Sequence, residues 1–76
     1  MVDLSQKQQE ALQDTTCFAI SEYLRTSEKP QTLGEISRGI ELRDLAKVHY
    51  HLMQLVDVDL VEKVPGTRRY RLVGGE

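Results

Sequence analysis

The sequence holds one cysteine, Cys17, one phenylalanine and no tryptophan among 76 residues. A lone thiol can neither close an intramolecular disulfide nor build a thiolate metal cluster, so a chain this short must be stabilised by its core or by association. That cysteine usage fits a reduced, cytoplasmic setting. No apolar run approaches the length of a membrane span, and the first residues lack the charged-then-apolar pattern of a secretory leader. An excess of positive charge is also missing, because ten basic residues face twelve acidic ones for a net charge of −2. Neither a Ser–His–Asp constellation nor a glycine-rich phosphate loop can be found, and this length leaves little room for a deep pocket. An enzyme is therefore not expected, and no cofactor is called for. His49 and His51 do not make a metal pair, since positions i and i+2 on a helix point about 200° apart. His51 is expected at the edge of the core and hydrogen-bonded, and Cys17 as a small buried hydrophobe.

The length accommodates one domain over residues 1–76, with 1–4 and 74–76 read as flexible ends. Ser5 with Gln8 fits a capping box, and good helix formers occupy most positions from Gln6 to Arg25, with no Gly or Pro among them. Leu12, Thr16, Ala19, Ile20 and Tyr23 share one face at helical spacing and are expected in the core. Ala11 and Phe18 fall on another side. They serve either as packing under a neighbouring segment or as a homodimer contact. Thr26 to Gln31 reads as a polar loop, with Pro30 barring helical continuation. Thr32 is the natural cap of a short second helix, with Glu35 as its reciprocal partner. Leu33, Ile36 and Ile40 are its core positions, and Gly39 is read as its stop.

A third helix is predicted over Arg43 to Val56. Leu45, Val48, Leu52, Leu55 and Val56 form its apolar stripe. The opposite face carries Arg43, Ala46, Lys47, Tyr50 and Gln54 and no acid, with Asp44 and His49 at its edges. Such a face suits a DNA groove, with cations for guanine or phosphate, an amide for adenine and a small residue allowing close approach. It is otherwise an ordinary solvated surface. Val61–Val64 and Arg69–Val73 alternate as two strands about a Val64-Pro65-Gly66-Thr67 turn. Residues 61–76 carry four basic and two acidic side chains, so Arg68, Arg69 and Arg71 concentrate positive charge where the global balance lacks it. The fold class expected is α+β, mainly α: three helices followed by a two-stranded β-hairpin wing, a winged helix-turn-helix.

K-P-Q-T-L-G-E-I, V-H-Y-H-L-M-Q-L and D-L-V-E-K-V together resemble the N-terminal DNA-binding domain of LexA-type repressors. The middle segment is also similar to the recognition helix of ArsR- and MarR-like regulators. The resemblance covers roughly Leu4 to Leu72. It implies a recognition helix whose base-contacting positions fall on Asp44, Ala46, His49 and Tyr50, although those side chains differ from the family's. It also places Glu41 and Asp59 where that family has glycine, which raises the alternative of a turn built around Gly39 instead. The function expected is sequence-specific binding of double-stranded DNA by a small regulator, a repressor acting as a homodimer. Its contacts would come from Thr32, the third-helix face, Arg68, Arg69 and Arg71. The alternative is a winged-helix module that binds a protein partner, which the acidic balance and Phe18 favour.

Overall fold

Two helices stand where the sequence pattern predicts one. The computed structural model describes residues 4–74, so the expected flexibility of residues 1–3 and 75–76 lies outside the described residues. Ser5 and Gln8 exchange the predicted pair of capping hydrogen bonds, at 2.9 and 3.1 Å, to open α1 (Gln6–Gln13). The helix then breaks at Asp14, whose backbone is extended and whose carboxylate accepts from the Thr16 and Cys17 N–H groups to cap α2 (Thr15–Thr26). Aspartate competes poorly for a helix interior and well for an N-cap, because its carboxylate reaches nearby N–H groups. The break rotates the buried line of α2 to Cys17, Ile20 and Leu24. Of the face predicted on this segment, only Ile20 is fully buried; Leu12, Thr16, Ala19 and Tyr23 are half-buried.

The predicted polar loop ends in a strand, β1 (Gln31–Thr32), because Gln31 and Thr32 pair with Tyr70 and Arg69. Gln31 is buried, its amide oxygen accepting from the Tyr23 hydroxyl at 2.7 Å. Thr32 and Glu35 form the predicted capping box of α3 (Leu33–Gly39). The turn that follows is held by Ser37, whose carbonyl accepts from Leu42 N–H at 3.0 Å and whose hydroxyl donates to the Leu42 carbonyl. The longest helix, α4 (Leu45–Asp57), is capped by Asp44, so Arg43 lies in the turn and outside the helix. Strands β2 (Val61–Lys63) and β3 (Arg69–Leu72) form the predicted hairpin, with Gly66 at φ 78° and Thr67 N–H donating to the Val64 carbonyl at 3.1 Å. The hairpin is not isolated. β1 adds to its other edge, giving the antiparallel order β1-β3-β2.

Four helices and a three-stranded antiparallel sheet among the described residues replace the expected three helices and two strands, within the expected α+β class. One core joins them: Cys17, Ile20 and Leu24 of α2, Ile36 of α3, Val48, Leu52 and Leu55 of α4, and Val61 of β2. The third-helix stripe differs from the predicted one at its first residue. Leu45 is half exposed, and His51 takes a core position beside Val48, Leu52 and Leu55.

Both of the unusual residues in the turns adopt left-handed backbone, Glu41 at φ 59° and Asp59 at φ 64°. Each sits one residue past a helix cap. Leu42 N–H bonds to the Ser37 carbonyl and Glu41 N–H to that of Arg38; Leu60 bonds to Leu55 and Asp59 to Val56 in the same pattern. These are two Schellman endings with a non-glycine residue in the position glycine usually fills. Gly39, read from sequence as the stop, has another reason to be glycine. A Cβ there would lie 2.1 Å from Cε1 of Tyr23, so the aromatic ring excludes any side chain.

Candidate nucleic-acid interface

The capped, twice-terminated pair α3 and α4 presents one helix face to solvent. Ala46, Lys47, His49, Tyr50 and Gln54 are all exposed on α4, Tyr50 at 62 %. Arg43 and Asp44 are exposed immediately before it, but the Asp44 carboxylate is occupied in capping, accepting from Lys47 N–H at 3.1 Å. Gln54 is also engaged: its Oε1 accepts from Cys17 Sγ at 3.6 Å, and its Nε2 donates to Tyr50 Oη at 3.4 Å. The helix runs one residue beyond the predicted end, which adds the exposed Asp57 and so puts an acid at its C-terminal end. Leu45, assigned from sequence to the core, belongs to the exposed surface at 50 %.

His51 anchors this helix from behind. Its Nδ1–H donates to the Lys47 carbonyl at 2.9 Å, and its Nε2 lies 3.4 Å from Asp14 Oδ1. Asp14 thereby links the α1–α2 corner to α4. The Cys17 N–H is the main influence holding its carboxyl below the usual range, and the nearby His51 acts in the same direction. Burial pushes the Cys17 thiol up to about 11, so it stays protonated beside the His51 carbonyl, as a structural cysteine should. His49 points to solvent while His51 is buried, and no metal-holding cluster of His, Cys, Asp or Glu occurs among the described residues.

The three hairpin arginines have different surroundings. Arg69 Nη1 donates to Glu35 Oε1 at 2.9 Å and to the Pro30 carbonyl at 3.1 Å. The same carboxylate oxygen accepts from Thr32 N–H at 2.8 Å. This N–H bond, followed by the Arg69 charge, holds the Glu35 carboxyl below its usual range. Arg71 pairs across the strands with Glu62, Nε to Oε2 at 2.7 Å. Arg68 is exposed at the turn, with no ion-pair partner among the described residues. Thr32 is likewise committed, with its N–H and hydroxyl both used in the cap. The sequence reading therefore overestimates the charge available on this hairpin and misses one cation near the helix turn. Arg38, at the end of α3, is exposed and unpaired among the described residues, and with Arg43 it flanks the turn into α4.

Ala11 and Phe18 are separated by the break at Asp14. Ala11 packs half-buried against the core and lines a groove with Lys7, Glu10, Asp14, Gln54 and Asp57. Phe18 is 51 % exposed on α2 and does not line that groove.

A family model described as a helix-turn-helix domain matches residues 12–64, which span the end of α1 through β2. No curated protein and no solved structure matches the chain. Among the described residues, no helix is long and apolar enough to cross a membrane.

Proposed function

The chain belongs to the helix-turn-helix domain family, and from that premise we propose a small transcription regulator, a repressor that reads double-stranded DNA as a homodimer and has no catalytic role. In this reading α4 enters the major groove and the β2–β3 hairpin acts as a wing along the phosphate backbone. The observation that carries it is the run of Arg38, Arg43 and Lys47, exposed and without ion-pair partners among the described residues, from the end of α3 to the first turn of α4, against one exposed acid there outside the cap, Glu41. Arg68, exposed at the hairpin turn, is a further cation without an ion-pair partner among the described residues. Arg69 and Arg71 would have to leave Glu35 and Glu62 to reach phosphate, so they contribute less than Arg68. Asp44, as the cap, orients α4 and does not read a base. Glu41 and Asp59, left-handed where LexA-type repressors carry glycine, support a turn and wing junction of that kind.

In a homodimer, two α4 helices would address half-sites about 34–36 Å apart. The exposed Phe18 is the contact offered for association. A module that docks on a protein is the second reading. It is favoured by the groove that Glu10, Asp14 and Asp57 line with a single lysine, Lys7.

Fluorescence anisotropy of a labelled random-sequence duplex, titrated at several salt concentrations, separates the two. DNA binding gives a log affinity that falls linearly with log salt, and Lys47→Ala and Arg68→Ala each reduce the slope by about 0.9. Absence of salt-dependent binding at low ionic strength refutes the regulator reading and leaves the protein partner.

A further inference from the structure

The apolar residues on the exposed face of α4 narrow what that face can read. Leu45 and Tyr50 are two of the most exposed large apolar side chains among the described residues, and Ala46 lies on the same turn as Leu45. Positions 46 and 50 are one helical turn apart, so their side chains are neighbours. A single exposed leucine is unremarkable, but Leu45 on the first turn together with the neighbouring Ala46–Tyr50 pair, beside the free cations Arg43 and Lys47, is a composition that a solvated helix surface does not need.

The polar groups beside that patch leave few ways to recognise bases. Gln54, the one amide on the face and the natural partner for adenine, has its oxygen on Cys17 and its nitrogen on Tyr50. Asp44, the carboxylate at the helix cap and a natural acceptor for cytosine N4, is held by Lys47 N–H. Arg43 and Lys47 remain for guanine or phosphate, and His49 is an exposed polar edge. The apolar side chains have one counterpart in a major groove, the 5-methyl group of thymine.

We propose that this face recognises thymine through its 5-methyl group, with Leu45 as a specificity-determining residue alongside Ala46 and Tyr50. The inference rests on the DNA-binding reading above. The surrounding charge selects the occupant: Arg43 and Lys47 beside the patch match a polyanion whose groove displays methyl groups, and they would be left without partners under a purely apolar protein surface.

The test starts from the tightest-binding duplex recovered from a randomised pool. Each thymine in it is replaced in turn by uracil, which removes only the methyl group. Anisotropy with the wild-type protein should show a loss of about three- to fivefold at one or two positions, the size expected for one buried methyl. Leu45→Ala should weaken binding of the thymine duplex by a similar factor, lose the response to uracil at one of those positions, and keep the salt slope. Alanine is a strong helix former, and the uracil series uses unaltered protein, so the result does not depend on the variant folding. Equal affinity for the all-uracil duplex overturns the inference while DNA binding stands. A dimer that dissociates in sedimentation on Leu45→Ala also overturns it, because the patch would then lie between two copies. Failure to bind any duplex in a salt-dependent way removes the DNA-binding reading itself, and this inference with it.

Discussion

Two single backbone positions hold a geometry that L-residues rarely adopt. Glu41 and Asp59 both hold left-handed backbone at the end of a Schellman motif. For an L-residue that geometry costs about 1–2 kcal/mol, less for Asp than for Glu, because the short Asp side chain can bond locally. Glycine would remove that strain and add about 0.4–1 kcal/mol of unfolded-state entropy cost. Glu41→Gly should therefore stabilise the protein by up to about 1 kcal/mol and Asp59→Gly by less. Urea unfolding of the two variants, compared for midpoint at constant slope, checks the order as well as the sign. The opposite is expected at Gly39, where a methyl group would enter the Tyr23 ring. That ring is pinned at its far end by the hydrogen bond to Gln31, so it cannot swing freely away. Gly39→Ala should cost about 1–3 kcal/mol, as overpacking does, despite the better helix propensity of alanine. An unchanged melting temperature would contradict the close approach.

At the scale of elements, two carboxylates tie helix starts to distant segments. Asp14 caps α2 and faces His51 of α4; Glu35 closes the α3 capping box and holds Arg69 of β3. Both have folded-state pKa values depressed below their ordinary range, chiefly by backbone N–H donors. A depressed carboxyl contributes stability that is present above its unfolded pKa and lost as pH falls through the folded one. Thermal stability should therefore decline as pH drops below about 5 and keep falling as each carboxylate takes up its proton. Asp14→Asn and Glu35→Gln should each lower the neutral-pH melting temperature and flatten this acid limb in a calorimetric pH series. A parallel downward shift at every pH would show that these carboxylates do not carry the linkage. The second of these links follows from the sheet. Once β1 pairs with β3, Arg69 is brought over the start of α3, and its charge is spent within the fold.

For the whole molecule, a net charge of −2 is compatible with free cations at the start of α4 and at the hairpin turn because the ion pairs are unevenly placed. Arg25, Arg69 and Arg71 are matched to Glu22, Glu35 and Glu62, while Arg38, Arg43, Lys47 and Arg68 have no such partner among the described residues. Acids gather instead where α1 meets the end of α4, as Glu10, Asp14 and Asp57. Binding should accordingly be steered by local charge and be strongly salt-sensitive despite the acidic total. Substituting Arg69 or Arg71 by alanine should change the salt slope less than substituting Lys47 or Arg68, since the paired arginines displace fewer counterions. Association is a separate question with its own measurement. Phe18→Glu should shift sedimentation from dimer to monomer without changing the far-ultraviolet circular dichroism; a variant that stays dimeric removes Phe18 from the interface.

Local chemistry was legible from the sequence wherever its cause is local. Ser5 with Gln8, Thr32 with Glu35, and the Pro65-Gly66 turn each act within three residues, so their hydrogen bonds follow from residue type and spacing alone. The amphipathic period of α4 likewise places Val48, Leu52 and Leu55 in the core and Lys47 and Tyr50 outside. Asp14 was legible in principle as a helix cap, followed as it is by the weak helix formers Thr15, Thr16 and Cys17, but the absence of Gly or Pro hid the break. Tertiary structure alone decided the rest. The pairing of Gln31 with Tyr70, the capture of Arg69 by Glu35 and the engagement of Gln54 by Cys17 all join residues far apart in the chain, and the exposure of Leu45 is likewise set by what packs against α4. Periodicity assigns a residue to a face of its own helix; which neighbour then occupies its polar atoms depends on packing between elements, and that packing determines which charges remain free to bind.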